Sequence, residues 1–208
     1  KTEIIFVDDK SGDRTHRYVR AFIEEMATPT IRMLSLDRHR GKGAAVRKGV
    51  LSARGKAVVF TDADLPMGLT PVEEIFGILD AGADVVVGER DHPDTSLSQT
   101  PWFRQIMSRA FRLWVSAVTD IKPVTDSQCG LKGFRRKAAI DLFTDLKFQG
   151  FAFDIEILTH AVAGKMKIAR LPVTCQPREK SSWNFLKAAI YLFVAAPVAG
   201  RRPRRIRE

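Results

Sequence analysis

A chain of 208 residues is long enough for one sizeable core and short for two, and 45% hydrophobic against 28% charged residues is an ordinary globular balance. The net charge of +10 is not ordinary; it points to nucleic acid, an anionic membrane surface or a phosphorylated ligand, and with no basic stripe interleaved with aromatics, nucleic acid ranks low. Two cysteines, Cys129 and Cys175, exclude a disulfide framework and lack zinc spacing, which fits a reducing compartment, while His16, His39, His92 and His160 form no ligand pattern and no apolar run has membrane length.

Lys1 is not an initiator methionine, and the chain enters a strand at once at Glu3-Ile4-Ile5-Phe6-Val7, so we expect an N-terminus that is cut, processed or incompletely represented. Asp8 to Thr15, dense in small and acidic residues, leads into a helix with the apolar stripe Val19, Phe22, Ile23 and Met26. Thr28-Pro29 breaks that helix, and Ile31 to Leu36 reads as the next strand. Arg38-His39-Arg40-Gly41-Lys42-Gly43 is a basic, glycine-containing loop opening a second helix with the apolar face Ala45, Val46, Gly49, Val50 and Ala53. Glycine lets a backbone approach a ligand, and a helix N-terminus beside basic side chains favours phosphate. The loop is neither a Walker A loop nor a dinucleotide fingerprint.

Val58-Val59-Phe60 reads as a short strand buried on both faces, which favours a parallel sheet, and it delivers Asp62 and Asp64 at its carboxyl end. In extended chain these two alternate past Ala63 and face the same way, where ligands of open α/β sheets bind. Two hard oxygen donors suit Mg²⁺ or Mn²⁺, with phosphate oxygens and water completing the shell. Two other readings stand beside this one: the acids merely end a strand and cap a helix, or they form an aspartate-nucleophile phosphatase site.

Thr70-Pro71 starts a further helix with threonine as its cap. Asp84 to Gly88 is a buried strand ending in Glu89 and Arg90, and Asp91 to Thr100 is a polar loop. A helix from about Pro101 towards Val118 offers Phe103, Ile106, Met107, Ala110, Phe111 and Val115 to the core, with Arg104 and Ser108 on one face. Cys129 to Phe134 reads as a strand, Phe153 to about Ala163 as a helix and Ile168 to Val173 as the last strand. Arg178 to Ser182 is a polar loop before the apolar segment from Trp183. Strand and helix alternate with no dividing linker, the pattern of a single α/β domain.

Ile-Ile-Phe-Val-Asp-Asp-x-Ser-x-Asp-x-Thr, then Arg-Gly-Lys-Gly-x-Ala-Val-Arg-x-Gly, then Asp-Ala-Asp-Leu resembles the nucleotide-sugar domain of family 2 glycosyltransferases with the GT-A fold. Asp126-Ser-Gln-Cys-Gly-Leu-Lys-Gly-Phe134 and Phe153-Asp-Ile-Glu156 resemble the polyprenyl-phosphate branch, nearer dolichyl-phosphate glucosyltransferases than mannose synthases. The acidic strand of the phosphatases normally comes first in the chain, whereas here two strands and a basic loop precede it, so the ordered series disfavours that reading.

The resemblance implies a Rossmann-like, mostly parallel sheet flanked by helices, forming a catalytic domain over residues 1–182, with 183–208 as an amphipathic, basic juxtamembrane segment. It implies that Asp8 and Asp9 bind the donor nucleoside, Lys42 lies near the donor, Asp62 approaches ribose or metal, and Asp64 is the main ligand of Mg²⁺ or Mn²⁺. Arg90, Arg104 and Ser108 match positions that hold the acceptor phosphate, and Arg178, Lys180 and Ser181 a loop closing on the donor diphosphate. Asp126 takes an orienting, acceptor-side role and only secondarily that of a base, because a lipid monophosphate with a second pKa of about 6 is already a competent nucleophile.

The implied reaction is inverting transfer of a sugar from a nucleotide donor, foremost UDP-glucose, to a polyprenyl (dolichyl or undecaprenyl) phosphate at the cytoplasmic face of a membrane. The implied partners are thus the nucleotide sugar, the lipid phosphate and the membrane surface, with no nucleic acid. GDP-mannose or a UDP-N-acetylhexosamine is the same-fold alternative, and a non-catalytic module binding anionic membrane or lipid phosphate the alternative of another class. Trp183, Phe185, Leu186, Ile190, Tyr191, Leu192 and Phe193 with Lys187 and the arginine-rich tail can make an interfacial helix or pack on the core. The sequence departs from the family it resembles at Pro66, where some mannose synthases carry another metal-binding side chain, and in showing no leading strand with a Pro-x-Tyr-Asn-Glu loop.

Overall fold

Valine runs and glycine breaks make the central strands. The computed structural model describes residues 2–90, 110–111, 113–115, 117–119, 121, 126–175 and 193–199. Within them the order is β1 (Ile4–Asp8), α1 (Thr15–Met26), β2 (Ile31–Ser35), α2 (Lys42–Ser52), β3 (Ala57–Phe60), α3 (Thr70–Asp80), β4 (Val85–Glu89), β5 (Lys132–Arg135), α4 (Arg136–Phe143), α5 (Phe153–Ala163) and β6 (Ile168–Pro172).

The strands form two ladders. β1 and β2 pair in parallel, Ile4 opposite Ile31 through Asp8 opposite Ser35. The other sheet has the order β3-β5-β4-β6. β4 and β6 are parallel, and β5 runs antiparallel to both β3 and β4. β3, β4 and β6 therefore point the same way with one reversed strand between them. The parallel-rich α/β class expected from the sequence is present, but β3 reaches it through an antiparallel neighbour: Val58 lies opposite Phe134 and Phe60 opposite Lys132.

β4 shows why this sheet is internal. Val85, Val86 and Val87 are all fully buried, with Val85 and Val87 in one apolar cluster and Val86 in another, as a period of two requires. The first cluster joins β3, β4 and β5 to α2, α4 and α5 through Val50, Phe134, Phe143, Phe153 and Leu158; the second packs Ile75 and Leu79 of α3 against Val86, Leu131 and Leu171.

Three local expectations change. α1 buries no residue: of its stripe Val19 and Ile23 are half-buried, while Phe22 is 44% and Met26 49% exposed. It lies on the β1–β2 ladder, where Phe22 meets Phe6 edge-on at 6.3 Å. α3 is capped by Leu69 without a side-chain bond, so Thr70 is its first residue rather than its cap. Of the helix expected towards Val118, Val115 is buried and Phe111 packs on the first cluster, but Ala110 is exposed; Phe103, Ile106 and Met107 lie outside the described residues.

Of the C-terminal segment, the described helical residues 193–199 bury Ala195, Ala196 and Ala199 in the first cluster, and Phe193 stacks on Trp114 at 4.3 Å. This piece packs on the core while Phe193, Val194 and Val198 keep half or more of their surface in solvent. Among the described residues, no helix is long and apolar enough to cross a membrane.

Candidate functional site

β3 ends at Phe60, and the chain turns immediately: the Leu65 amide donates to the Asp62 carbonyl at 3.0 Å, with Leu65 at φ 45°. Asp62 and Asp64 thus sit on a turn, not in extended chain, and the alternation argument for their common direction does not apply. The turn still stands past the carboxyl end of β3. The Asp62 carboxylate, 35% exposed, is paired with Lys42 Nζ at 2.6 Å, and that ammonium lies 6.0 Å from the centre of the Phe151 ring. Asp64 is exposed.

Gly130, in the segment leading to β5, closes the floor under Asp62. A Cβ there would collide with the Asp62 carboxylate, with Cγ only 2.8 Å away, so only glycine fits without moving the acid. Three motifs far apart in sequence therefore meet at one carboxylate: Lys42 at the start of α2, Asp62 after β3, and Gly130 before β5.

A second charged pair lies buried below. Lys132 Nζ, with no exposed surface, donates to Asp154 Oδ1 at 2.6 Å and to the carbonyls of Cys129 at 2.7 Å and Ser127 at 3.1 Å. Its ammonium also faces the Phe60 ring at 5.8 Å. Burial raises the Asp154 pKa, and nearby Asp62 adds to this, against the opposing charges of Lys132 and Lys42. These four groups form one alternating charge cluster. Glu156, one turn along α5 from Ala152, accepts the Lys147 amide at 3.1 Å and the Phe148 amide at 2.9 Å.

On the neighbouring strand end, Arg90 grips Asp126 with both arms: Nε to Oδ2 at 2.7 Å and Nη2 to Oδ1 at 2.9 Å, with the Arg90 amide adding 3.2 Å. Burial alone would raise the Asp126 carboxyl, but the Arg90 charge and hydrogen bonds, aided by Lys132, override it and hold the pKa below the usual range. Asp126 is thus a firmly ionised anchor that aims an arginine still 43% exposed. Burial pushes the neighbouring Cys129 thiol up to about 12, so it is inert packing. Glu89, fully buried, lies 3.6 Å from Arg170.

Asp8 and Asp9 leave β1 in different roles. Asp8 Oδ1 accepts the Ser11 amide at 3.0 Å, folding its own turn. Asp9 reaches 31 and 32 residues ahead, accepting the amides of Arg40 at 2.8 Å and Gly41 at 2.7 Å, with His39 Nδ1 at 2.9 Å. Gly41, at φ 102°, is held under the Gln149 carbonyl, where a Cβ would come within 2.8 Å. That carbonyl also accepts the Ala44 amide at 3.0 Å. The α2 N-terminus is therefore partly capped by the protein itself, through the Ala44 amide. Lys42 is the group that this loop delivers to the site.

Arg104, Ser108, Arg178, Lys180 and Ser181 lie outside the described residues. Among the described residues, no group of three or more His, Cys, Asp or Glu is placed to hold a metal ion. Asp62 and Asp64 offer two carboxylates, a set that fits a Mg²⁺-type ion bound by one or two acids with water and substrate phosphate. Sequence reading missed roles for Lys132, Asp154 and Gly130, although it singled out their motifs. A lysine inside an apolar strand, between Leu131 and Gly133, was the available signal, since such a charge is either exposed or paired.

The model of the family described as "Glycosyl transferase family 2" matches residues 1–143. The dolichyl-phosphate beta-glucosyltransferase of Dictyostelium discoideum is 36% identical over 180 residues, 82% of this chain and 54% of that protein. The Homo sapiens enzyme of the same name is 32% identical over 196 residues, 89% of this chain and 60% of that protein. The chain thus spans between half and two thirds of the length of these relatives. Among solved structures, glucosyl-3-phosphoglycerate synthase from Mycobacterium tuberculosis, in complex with Mn²⁺, UDP-glucose and phosphoglyceric acid, aligns with a TM-score of 0.67 at 21% identity over 94% of this chain and 67% of that one. Its UDP complex gives the same TM-score at 20% identity.

Proposed function

The chain belongs to glycosyl transferase family 2, and from that premise we propose that it transfers glucose from UDP-glucose to a dolichyl-type polyprenyl phosphate with inversion at the anomeric carbon. The observation that carries this reading is the meeting of Lys42, Asp62 and Gly130 at the carboxyl end of β3, beside an arginine that Asp126 holds in place. The acceptor is supported by the names of the Dictyostelium and human relatives, and the donor by the solved neighbour that holds UDP-glucose with Mn²⁺.

In this reading the acceptor phosphate oxygen attacks the anomeric carbon opposite the leaving diphosphate, so an α-linked donor gives a β-linked product. The nucleophile is already anionic near neutral pH and needs no strong base. Arg90, aimed by Asp126, holds the acceptor phosphate and offsets its repulsion from the donor. Arg104 and Ser108 join it on the acceptor side, while Arg178, Lys180 and Ser181 close on the donor diphosphate. Asp8 and Asp9 serve the donor nucleoside, Asp9 also by fixing the loop that carries Lys42. Asp64, with Asp62, would hold a divalent cation, Mg²⁺ or Mn²⁺. That ion would stabilise the charge developing on the departing nucleoside diphosphate. Residues 1–182 form the catalytic unit and 183–208 meet the cytoplasmic face of the membrane that carries the acceptor.

The test is transfer of radiolabel from a panel of UDP- and GDP-sugars to a short polyprenyl phosphate with Mn²⁺ or Mg²⁺. Glucose from UDP-glucose should label the lipid, and Asp64→Ala should lower the rate on the order of a hundredfold or more. Labelling from another donor overturns the sugar assignment, and none from any donor overturns the enzymatic reading.

A further inference from the structure

The end of the β3–β5 ladder remote from Asp62 opens into a different cleft. Ala57 pairs with Arg135 there, whereas Phe60 pairs with Lys132 at the site end. Those two pairs are roughly 10 Å apart along the strands. The cleft is a cavity of about 450 Å³ whose walls include Arg54, Lys56, Arg135, Arg136 and Lys137 against one carboxylate, Asp80.

Cations gathered around one cavity repel each other, and solvated surfaces ordinarily intersperse both signs. Here five cations face the single carboxylate of Asp80 in the wall, and the nearby acids Glu3 and Asp84 are held by other groups. None of the five cations forms an ion pair with a described residue, Asp80 included. Glu3, which could neutralise Arg54, accepts the amide of that residue and pairs with Arg32 at 3.3 Å. Asp84, beside β5, accepts the Lys167 amide at 2.8 Å.

Two of the arginines are nevertheless anchored. Arg135 Nε donates to the Leu79 carbonyl at 3.2 Å, and Arg136 Nη1 donates to the Val50 carbonyl at 3.0 Å. Each bond fixes the guanidinium while leaving its remaining donors without a partner among the described residues. A fork held by the main chain, with donors still open, is prepared for a tetrahedral oxyanion that takes several N–H groups together. Lys56 and Lys137 add point charges that need no fixed geometry.

From the cavity, its uncompensated charge and the anchored arginines, we infer that this cleft is a second anion site, which binds a phosphate-bearing ligand independently of the Asp62 site. The recognised chemistry is a multiply charged phosphate group, carried either by a soluble compound or by a lipid headgroup. Binding there is strongly salt-dependent, because most of the attraction is between charges.

Calorimetric titration with inorganic pyrophosphate, in EDTA to silence metal-dependent binding, tests the inference on wild type, Lys56→Gln/Lys137→Gln and Lys42→Ala. Both lysines of the double variant make no side-chain bond among the described residues, so its thermal melt should match wild type. The expected result is a Kd weakened at least tenfold in the double variant and unchanged in Lys42→Ala. Equal affinity of wild type and double variant, no binding by wild type at millimolar pyrophosphate, or loss only in Lys42→Ala overturns it. Flotation with phosphatidylcholine vesicles with and without phosphatidic acid identifies the source. Acid-dependent flotation lost in the double variant assigns a lipid headgroup; flotation unchanged while pyrophosphate binding falls assigns a soluble ligand.

Discussion

The two ladders of this molecule are built on different principles. β4 and β5 are buried on both faces between α3 on one side and α4 and α5 on the other, and their order comes from packing. β1 and β2 carry α1 with no buried residue and meet the rest through a thin apolar contact, Ile5 on the first cluster and Val7 against Gly49 of α2, joined by polar ties: Asp9 to the amides of Arg40 and Gly41, Glu3 to Arg54, Arg32 to Ser52. Arg90, proposed for the acceptor side, stands at the end of the packed ladder, and Asp9, which holds the loop proposed for the donor side, stands at the end of the other. The β1–β2 ladder has fewer buried contacts, so its hydrogen bonds should open before those of β4 and β5.

The largest break should come from the buried pair under the packed ladder. Lys132→Met leaves Asp154 buried without its cation, and the expected loss is about 3 to 5 kcal/mol in urea unfolding, while Lys132→Met/Asp154→Leu regains much of it. A single-variant cost near zero would show that the pair does not hold this half together.

A smaller effect belongs to Asp126. Its folded pKa lies below the unfolded value, so its contribution is complete above about pH 4 and is lost as pH falls through the folded pKa. Asp126→Asn should cost about 1 to 2 kcal/mol at neutral pH, discounted for the partial exposure of Arg90, and should flatten the acid limb of the stability curve. An unchanged acid limb would place the acid sensitivity elsewhere.

How much of this was readable beforehand follows the same division. α5 was expected from Phe153 to about Ala163 and occupies Phe153–Ala163, because an apolar helix between glycines announces itself locally. β4 was legible from its valines. The reversed direction of β5 was not, because strand orientation is set by pairing partners and Lys132 shows no alternation that encodes them. The Arg90–Asp126 clamp spans 36 residues, and nothing local marks those two as partners. The α1 stripe misled for a physical reason: periodicity reports which face is apolar, not whether anything covers it. Asp62 and Asp64 were found with the wrong geometry, since the turn at Leu65 rather than strand alternation presents them.

On the β1–β2 ladder, Asp9→Ala removes the carboxylate that accepts two amides of the Lys42 loop. The expected cost is about 1 kcal/mol, with faster hydrogen exchange at Arg40 and Gly41 and little change at β4. Exchange accelerating equally in both ladders would mean that they open as one unit.

The smallest effect sharpens the comparison most. Phe22 meets β1 through Phe6, yet it is 44% exposed, and among the described residues Phe6 is its one ring contact. Truncating a core phenylalanine costs about 3 to 5 kcal/mol because a cavity is left behind. Phe22 sits over no closed space, so Phe22→Ala should cost below about 1 kcal/mol in urea unfolding, whereas Phe134→Ala, from the fully buried centre of β5, should show the full core penalty. Equal costs would mean that the face of α1 is covered in solution and that the two halves are not built differently after all.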